Sequence, residues 1–206
     1  MTELNNYRQE LRPRILETAM KLFRENGVKK VKMDDIAAKL GISKRTLYEL
    51  YTNKEQLLLE GITEENETQL KHIQAFALSG KNEMEIVAEF MRSKLNDVES
   101  TNPEFFIDMR RYTRVTDYLH SQHELHQEKS IEFIRNGIRH GYFLPFINYD
   151  ILISLSDIVV NTVLENRGYR QYHINEILRN FTIVLMRGFC TEKGIGIIDR
   201  YFSEQG

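Results

Sequence analysis

Side chains that bind phosphate and hydrogen-bond base edges are concentrated within residues 43–54. Four of them are consecutive and two follow closely: Ser43, Lys44, Arg45, Thr46, Tyr48 and Lys54. Arginine and lysine can donate in pairs to guanine, and hydroxyl groups donate to phosphate oxygens. This combination of residue types is typical of a surface that contacts double-stranded nucleic acid.

The elements that must hold these side chains are two short helices separated by a glycine. Residues 33–40 form one apolar face, with two aspartates in the first turn that complement the helix dipole. Gly41 permits a sharp turn, and Ser43 offers a hydroxyl cap for a second helix through residue 50. Helices this short need tertiary support, so we expect them to pack on a first helix over about residues 9–26. Residues 32–51 thus predict a helix-turn-helix whose second helix enters the major groove.

The string DDIAAKLGISKRTLYELYTNKEQLL resembles the signature of the TetR family of transcriptional regulators, and the resemblance covers residues 9–69. It implies that Tyr48 and Lys54 hold phosphates and that residues 43–46 face bases or the backbone. Two positions depart from the family pattern. Lys32 stands where a capping Thr or Ser is usual, although a lysine still reaches a phosphate. Arg45 stands where Gly is common, and it adds a large side chain that can contact bases.

The rest of the chain is predicted to form further helices. Apolar residues recur with helical spacing at about 52–78, 82–100, 103–112, 116–140, 148–166 and 173–189, and no segment alternates with period two. Thr52 and Glu55 predict a capping box where the first of these helices begins. We expect an all-α protein of about nine helices. Residues 9–69 form the DNA-binding domain, and residues 70–206 form an effector-binding and dimerisation domain.

Two sets of apolar residues in the C-terminal domain have expected roles that rest on the family resemblance. The first set would line an effector pocket: Phe90, Phe105, Met109 and Tyr112. The second set would form a two-fold dimer interface on the last two long helices: Leu155, Val159, Phe181 and Leu185. For both sets the alternative is that the residues only fill the intramolecular core, as periodic apolar residues usually do.

The distribution of charge agrees with a nucleic-acid partner although the whole chain is slightly acidic. The net charge is −2, but residues 1–60 hold 12 Lys and Arg against 9 Asp and Glu, a balance of +3. No apolar run is long enough to span a bilayer, and the first residues do not resemble a secretory signal. A single cysteine, Cys190, fits a reducing compartment. The sequence therefore predicts a cytoplasmic protein without a membrane partner.

Catalytic motifs are not recognisable in the sequence, so we expect a protein that is not an enzyme and needs no cofactor and no metal. His120, His123 and His126 recur every three residues and could bind Zn or Ni, but this spacing drifts around a helix and favours an exposed or pocket-lining role. Cys190 is either a redox sensor or a packed thiol, and its apolar neighbours favour the packed thiol.

These features predict a sequence-specific DNA-binding regulator, in the simplest case a repressor that a small-molecule effector releases from a pseudo-palindromic operator. A homodimer is expected because one short recognition helix covers too few bases for tight specific binding. A helical enzyme or ligand carrier, and an architectural DNA binder without a ligand, are the alternatives. An apolar cavity within residues 80–165 would favour ligand control, and a tightly filled bundle would favour the architectural role.

Overall fold

The computed structural model describes residues 2–165 and 172–203, and these residues are helical apart from short connections. The all-α prediction is confirmed, since the described part of the chain contains no strand and one isolated bridge, between Phe143 and Cys190. Among the described helices, none combines the length and apolar character needed to cross a membrane. The helices are α1 (Thr2–Asn26), α2 (Met33–Leu40), α3 (Lys44–Leu50), α4 (Lys54–Leu78), α5 (Glu83–Ser100), α6 (Pro103–Met109), α7 (Thr113–Arg139), α8 (Tyr149–Glu165), α9 (Ile174–Phe189) and α10 (Glu192–Ser203).

The described residues contain ten named helices, so the prediction of about nine was one too few. The additional helix is α10, whose two glycines weaken the helical pattern in the sequence. It forms because its apolar side packs on α5, with Ile198 only 5% exposed. Helix α1 begins at Thr2 rather than near residue 9, so Pro13 lies inside the helix and removes one amide donor there.

The start of α4 corrects the predicted capping box. The helix begins at Lys54, so the capping residue is Asn53, whose side-chain oxygen accepts the Gln56 amide at 2.9 Å. The Gln56 side chain in turn accepts the Thr52 amide at 3.0 Å. The observed pair, Asn53 and Gln56, lies one residue after the predicted pair, Thr52 and Glu55. The position at which α4 begins selects the observed pair.

The first of two compact units comprises residues 1–69 and 101–122. It contains α1, α2 and α3, the first part of α4, α6 and the start of α7. Its core is a single apolar cluster to which each of these elements contributes. Fully buried members include Phe23, Ile36, Leu47, Tyr51, Leu58, Phe105 and Val115. The unit therefore includes α6 in addition to the segment that ends at residue 69.

The second unit comprises residues 70–100 and 123–206. Its core joins α5, the α7–α8 connection, α9 and α10, through Met84, Ala88, Phe143, Met186, Phe189, Cys190 and Ile198. The Cys190 thiol lies 3.5 Å from the Met84 sulfur, and burial raises its pKa to about 12. This environment favours the packed thiol over the redox sensor, because a thiolate is the reactive form.

A buried carboxylate, Glu89 on α5, lies at the centre of a polar cluster in the second unit. It is 2% exposed and accepts two hydrogen bonds from Arg92, at 2.9 and 2.8 Å, and one from the Tyr201 hydroxyl. His72 Nε2 lies 2.6 Å from the same carboxylate. Burial alone would raise the pKa of Glu89, but the bonds from Arg92, Tyr201 and His72 lower it to about 2. The carboxylate therefore connects α4, α5 and α10 as an anion.

Candidate nucleic-acid interface

The turn between α2 and α3 is made by Gly41, which lies in the left-handed region at φ 66°. Its amide donates to the Ala38 carbonyl at 3.2 Å, and the Ile42 amide donates to the Ala37 carbonyl at 3.0 Å. These two bonds form a Schellman cap, which satisfies the last carbonyls of α2. A Cβ at position 41 would meet no atom within 4 Å, so the backbone conformation, and not space, requires the glycine. Residues 33–40 and 44–50 are therefore two short helices joined by a glycine turn.

The start of α3 is stabilised by two of the predicted contact residues. Ser43 is the N-cap, and its hydroxyl accepts the Thr46 amide at 3.0 Å. The hydroxyl oxygens of Ser43 and Thr46 lie 2.8 Å apart. Both side chains therefore shape the first turn of the helix, and their contact with DNA stays a prediction.

The start of α2 shows how the chain compensates for Lys32. An ammonium group has no lone pair, and the Lys32 side chain caps no amide of α2. The Asp35 carboxylate takes part of that role by accepting the Lys32 amide at 2.8 Å. Lys32 itself is exposed, so the phosphate contact that the sequence predicts stays sterically open.

Two cations, Lys44 and Arg45, project into solvent from the first turn of α3, with 65% and 89% of their side chains exposed. The Lys44 ammonium lies 2.5 Å from Asp34 on α2, and this hydrogen bond raises the pKa of Lys44. Arg45 Nε donates to Glu49 Oε1, one turn later, at 3.0 Å. Pairs this exposed contribute little to folding, so their main effect is on the direction in which each cation points.

The two tyrosines of the motif have opposite environments. Tyr48 is 48% exposed, whereas Tyr51 is fully buried. The Tyr51 hydroxyl donates to Glu60 on α4 at 2.8 Å, and the Arg12 guanidinium lies 4.8 Å from the ring centroid. Burial and the bond to Glu60 raise the pKa of Tyr51. Tyr48 is therefore available to a phosphate, and Tyr51 fastens the end of α3 to α1 and α4.

Lys54 has a structural role that the sequence did not indicate. Its ammonium group donates to the carbonyls of Val28 at 2.7 Å and Val31 at 2.8 Å, and the Lys29 carbonyl lies at 3.4 Å. Desolvation at this position lowers the pKa of Lys54. Lys54 thus fastens the α1–α2 link to the start of α4. The phosphate contact implied by the family resemblance stays a prediction, and a phosphate would share the ammonium group with these carbonyls.

The α1–α2 link is also held by α6, within the same unit. The Asp108 carboxylate, which is 3% exposed, accepts the Lys29 amide at 2.7 Å. Gly27 has φ 84° and lies so close to α6 that a Cβ there would be 2.9 Å from the Glu104 Cβ. Helix α6 is therefore part of the structure that positions the helix-turn-helix.

Three residues at or near the recognition surface were not among the predicted DNA-contacting residues: Arg8, Asp34 and Glu49. The spacing of four between Arg45 and Glu49 is a signal that the sequence does contain, since such residues meet on a helix. Arg8 on α1 lies 2.5 Å from Glu49, and these two residues are separated by 41 positions. Only the packing of α1 on α3 brings them together.

The four expected pocket residues have different surroundings. Phe105 is 1% exposed in the core of the first unit, and Arg24 lies 5.0 Å from its ring centroid. Met109 and Tyr112 are partly buried against that core, and Phe90 on α5 is 38% exposed in the second unit. The effector role of these four residues stays a prediction. A groove of about 860 Å³ lies along α7 and is lined by other residues: Glu128, Ile131, Glu132, Arg135, Asn136, Ile138 and Arg139.

The three histidines of α7 differ in their exposure. His120 and His123 are exposed, and His126 is partly buried. Within the described part of the chain, no group of three or more His, Cys, Asp or Glu side chains is arranged to hold a metal ion. The role of these histidines, exposed or pocket-lining, stays a prediction.

Helices α8 and α9 pack on each other, and each exposes an apolar face. Of the expected interface residues, Leu155 is exposed, and Val159, Phe181 and Leu185 are partly buried. Their role in dimerisation stays a prediction. The large apolar residues exposed on the two helices are Ile151, Ile153, Leu155, Ile158, Ile183 and Val184.

Comparison with known proteins gives concordant results. Residues 15–60 match the family described as bacterial regulatory proteins, tetR family. The chain is 25% identical over 185 residues to the uncharacterized HTH-type transcriptional regulator YvaF of Bacillus subtilis (strain 168), covering 87% of this chain and 96% of that protein.

Two solved structures share the fold. A crystal structure of a regulator from Saccharomonospora viridis in complex with choline matches with a TM-score of 0.69 and 19% identity, covering 89% of this chain and 100% of that chain. Thermus thermophilus FadR, a TetR-family transcriptional repressor in complex with lauroyl-CoA, matches with a TM-score of 0.52 and 16% identity, covering 86% and 94% of the two chains.

The fold and the exposed cations of α3 resemble those of helix-turn-helix regulators of transcription. The family match spans the second half of α1, all of α2 and α3, and the start of α4, which are the elements that build the surface described above. In this region the chain is similar to the tetR family of bacterial regulatory proteins.

Proposed function

We propose that the protein binds a pseudo-palindromic DNA operator as a homodimer and represses transcription until a small molecule releases it. One observation carries the DNA-binding part of this proposal. The start of α3 presents Lys44, Arg45 and Tyr48 to solvent, while Leu47 on its other side is fully buried. The surface is therefore exposed and its backbone is held in place before DNA arrives, as base reading by a recognition helix requires.

The experiment begins by selecting the genomic fragments that the purified protein retains and measuring its affinity for the selected sequence and for random DNA over a range of salt concentrations. Arg45→Ala should cost about 1–3 kcal/mol and relax discrimination at one or two base pairs, because it removes a side chain that can pair with guanine. If Arg45→Ala left both affinity and base preference unchanged, the proposed reading surface would be wrong.

A homodimer is supported by the apolar faces of α8 and α9. A single α3 covers only a few base pairs, and pairing two of them at the spacing of successive major grooves, about 34–36 Å, gives a specific site. Exposed residues such as Leu155 at 53%, Ile158 at 58% and Val184 at 70% provide an apolar surface that a second copy would cover. Sedimentation at micromolar concentration should give a dimer, and the selected operator should contain two inverted half-sites. A monomer that binds a single half-site would contradict this part of the proposal.

Control by an effector is supported by the contacts of α6. This helix carries Phe105 and Met109, and its Asp108 holds the α1–α2 link of the unit that contains α3. A ligand that shifts α6 would therefore displace the link and, with it, the recognition helix. The two solved relatives bind choline and lauroyl-CoA, which differ in size and charge, so the chemistry of the effector is left to experiment.

The test is to find a compound that raises the melting temperature of the protein and to titrate it with and without operator DNA. We expect operator to weaken binding of the compound about 5- to 150-fold, because coupling of about 1–3 kcal/mol acts equally in both directions. Equal affinities in the two titrations would show that the bound compound is not an inducer. An architectural DNA binder would show no such coupling with any compound.

A further inference from the structure

Glu49 joins two arginines at the surface of the recognition helix. Its Oε1 accepts Arg45 Nε at 3.0 Å, and its Oε2 lies 2.5 Å from an Nη of Arg8 on α1. Each carboxylate oxygen therefore has its own arginine. The hydrogen bond from Arg45 and the positive charge of Arg8 lower the pKa of Glu49, so the group is an anion at neutral pH.

The geometry of the Arg45 contact determines which donors remain for DNA. A guanidinium group has five N–H donors, one on Nε and two on each Nη. Because Glu49 accepts from the Nε donor, the donors of the Nη1–Nη2 edge of Arg45 are left for another partner. Two parallel donors are the arrangement that pairs with O6 and N7 of guanine. The Arg45 side chain is 89% exposed, so without Glu49 its long chain would sample many directions.

A carboxylate on a DNA-facing helix also has an electrostatic cost, because it repels phosphates. That cost applies to every sequence, whereas an arginine held in a fixed direction benefits only the sequence with a matching base. Glu49 thus lowers the affinity for DNA of any sequence and raises the discrimination between sequences. Arg8, on a different helix, holds this carboxylate in place. An ion pair between two residues of the same helix would lack this second anchor.

We propose that Glu49 is a positioning residue for base recognition: anchored by Arg8, it holds Arg45 with its Nη1–Nη2 edge directed at one base pair of the operator. The inference rests on the proposed DNA-binding function and deepens it. It assigns part of the sequence specificity to Glu49, which repels DNA, and to Arg8, which lies outside the helix-turn-helix.

The test uses the full-length protein and an operator obtained by selection from random duplexes. The base pair read by Arg45 is first located as the one whose discrimination Arg45→Ala removes. Glu49→Ala should then lower discrimination at that base pair by at least about fivefold, which corresponds to the low end of what a bidentate arginine contributes. Affinity for random DNA should stay equal or rise, because a negative charge has been removed. Arg8→Gln should also lower discrimination at that base pair, but by a smaller factor.

Two further variants make the result specific. Glu49→Ala combined with Arg45→Ala should show no loss of discrimination beyond that of Arg45→Ala alone, since the two residues act through one contact. Glu10→Ala, which removes an equal charge from an exposed site on α1, should leave discrimination unchanged. Melting temperatures of all variants should match that of the unmodified protein, because the substituted side chains lie at the surface.

The outcomes separate this inference from the proposed function. If Glu49→Ala tightened binding to operator and random DNA by the same factor, Glu49 would act by repulsion alone and the inference would be overturned. The same conclusion would follow if Arg45→Ala altered discrimination at no base pair. If the unmodified protein selected no preferred sequence, the proposed function itself would fail, which is a different result.

Discussion

The two compact units of the chain bury their apolar residues to different extents. The core of the first unit takes in side chains from α1, α2, α3, α4, α6 and α7, and residues such as Phe23, Leu47 and Tyr51 have no exposed surface. The second unit has a smaller buried cluster around Phe143 and Phe189. It also leaves exposed apolar residues along α8 and α9.

This difference suits a rigid support for α3 in the first unit and an association surface in the second. Under the proposed function the first unit needs a rigid core, because base recognition would depend on the direction of a few exposed side chains on one short helix. The second unit exposes apolar area that a lone chain would gain by burying, which is typical of a surface that associates with another copy. Four substitutions test this comparison, in order of their expected effect on the stability of the unit that carries them.

The largest effect is expected for Phe23→Ala in the core of the first unit. Phe23 is fully buried, so the free energy of unfolding should fall by about 3–5 kcal/mol through lost burial and a residual cavity. Urea unfolding, monitored by circular dichroism, measures this change in the free energy of unfolding. Phe146→Ala is the matched control: Phe146 is 80% exposed, and its loss should change stability by no more than about 0.5 kcal/mol. Similar losses for the two variants would contradict the assignment of this core.

A second effect concerns the polar cluster of the second unit. Because the pKa of Glu89 is lowered to about 2 in the folded protein, the unfolded chain takes up the proton first as the pH falls. Stability should therefore be fully present above about pH 4.5 and decrease from there towards pH 2, by roughly 2–3 kcal/mol.

Comparison with a variant isolates the contribution of this carboxylate. Glu89→Gln should lower stability at neutral pH, where Arg92 and His72 lose an anionic partner, and should flatten the dependence between pH 4.5 and 2. Glu128→Gln, at an exposed position on α7, should retain the dependence of the unmodified protein. An unchanged pH profile in Glu89→Gln would show that the cluster does not stabilise the second unit.

A smaller effect is expected for Lys54→Ala, which separates a structural role from a role in DNA binding. Loss of the ammonium group leaves the carbonyls of Val28 and Val31 without their donor, at a cost of about 1–3 kcal/mol. Binding to all DNA sequences should weaken evenly, and the salt dependence should fall by about one counterion if Lys54 also contacts a phosphate. Lys30→Ala removes an equal charge from an exposed site of the same link and should leave the melting temperature nearly unchanged. Equal melting temperatures for the two variants would contradict the structural role.

The smallest effect on folding is expected for Val184→Asp on α9. Val184 is 70% exposed, so a charge there should change the stability of the chain itself by no more than about 0.5 kcal/mol. It should nevertheless convert the dimer to a monomer in sedimentation, because a charge without a partner would be buried in the interface. Leu78→Asp, at an exposed position on α4, should leave the dimer intact. A dimer that survives Val184→Asp would place the interface elsewhere.

Much of the helix-turn-helix was predictable because its signals are local. Gly41 ends α2, Ser43 caps α3, and the spacing of Ile36, Ala37 and Leu47 predicts the buried side of both helices, as the structure confirms. Local signals were weaker where two candidates lay side by side. At the start of α4, Thr52 and Asn53 both suit a cap, and only the register of the packed helix selects Asn53.

The amino-acid sequence by itself determined the helical class, the position of the recognition helix and the identity of the cations at its start. These properties follow from helical periodicity, capping and turn preferences, which act over a few neighbouring residues. Tertiary structure alone decided which groups hold Lys54 and which group anchors Glu49. Lys54 turns towards the carbonyls of the α1–α2 link, and Glu49, which contacts Arg45, is bound by Arg8 from 41 positions earlier in the chain. Long flexible side chains take their direction from the groups that folding brings near them, and no local pattern encodes the distance from Lys54 to these carbonyls or from Glu49 to Arg8.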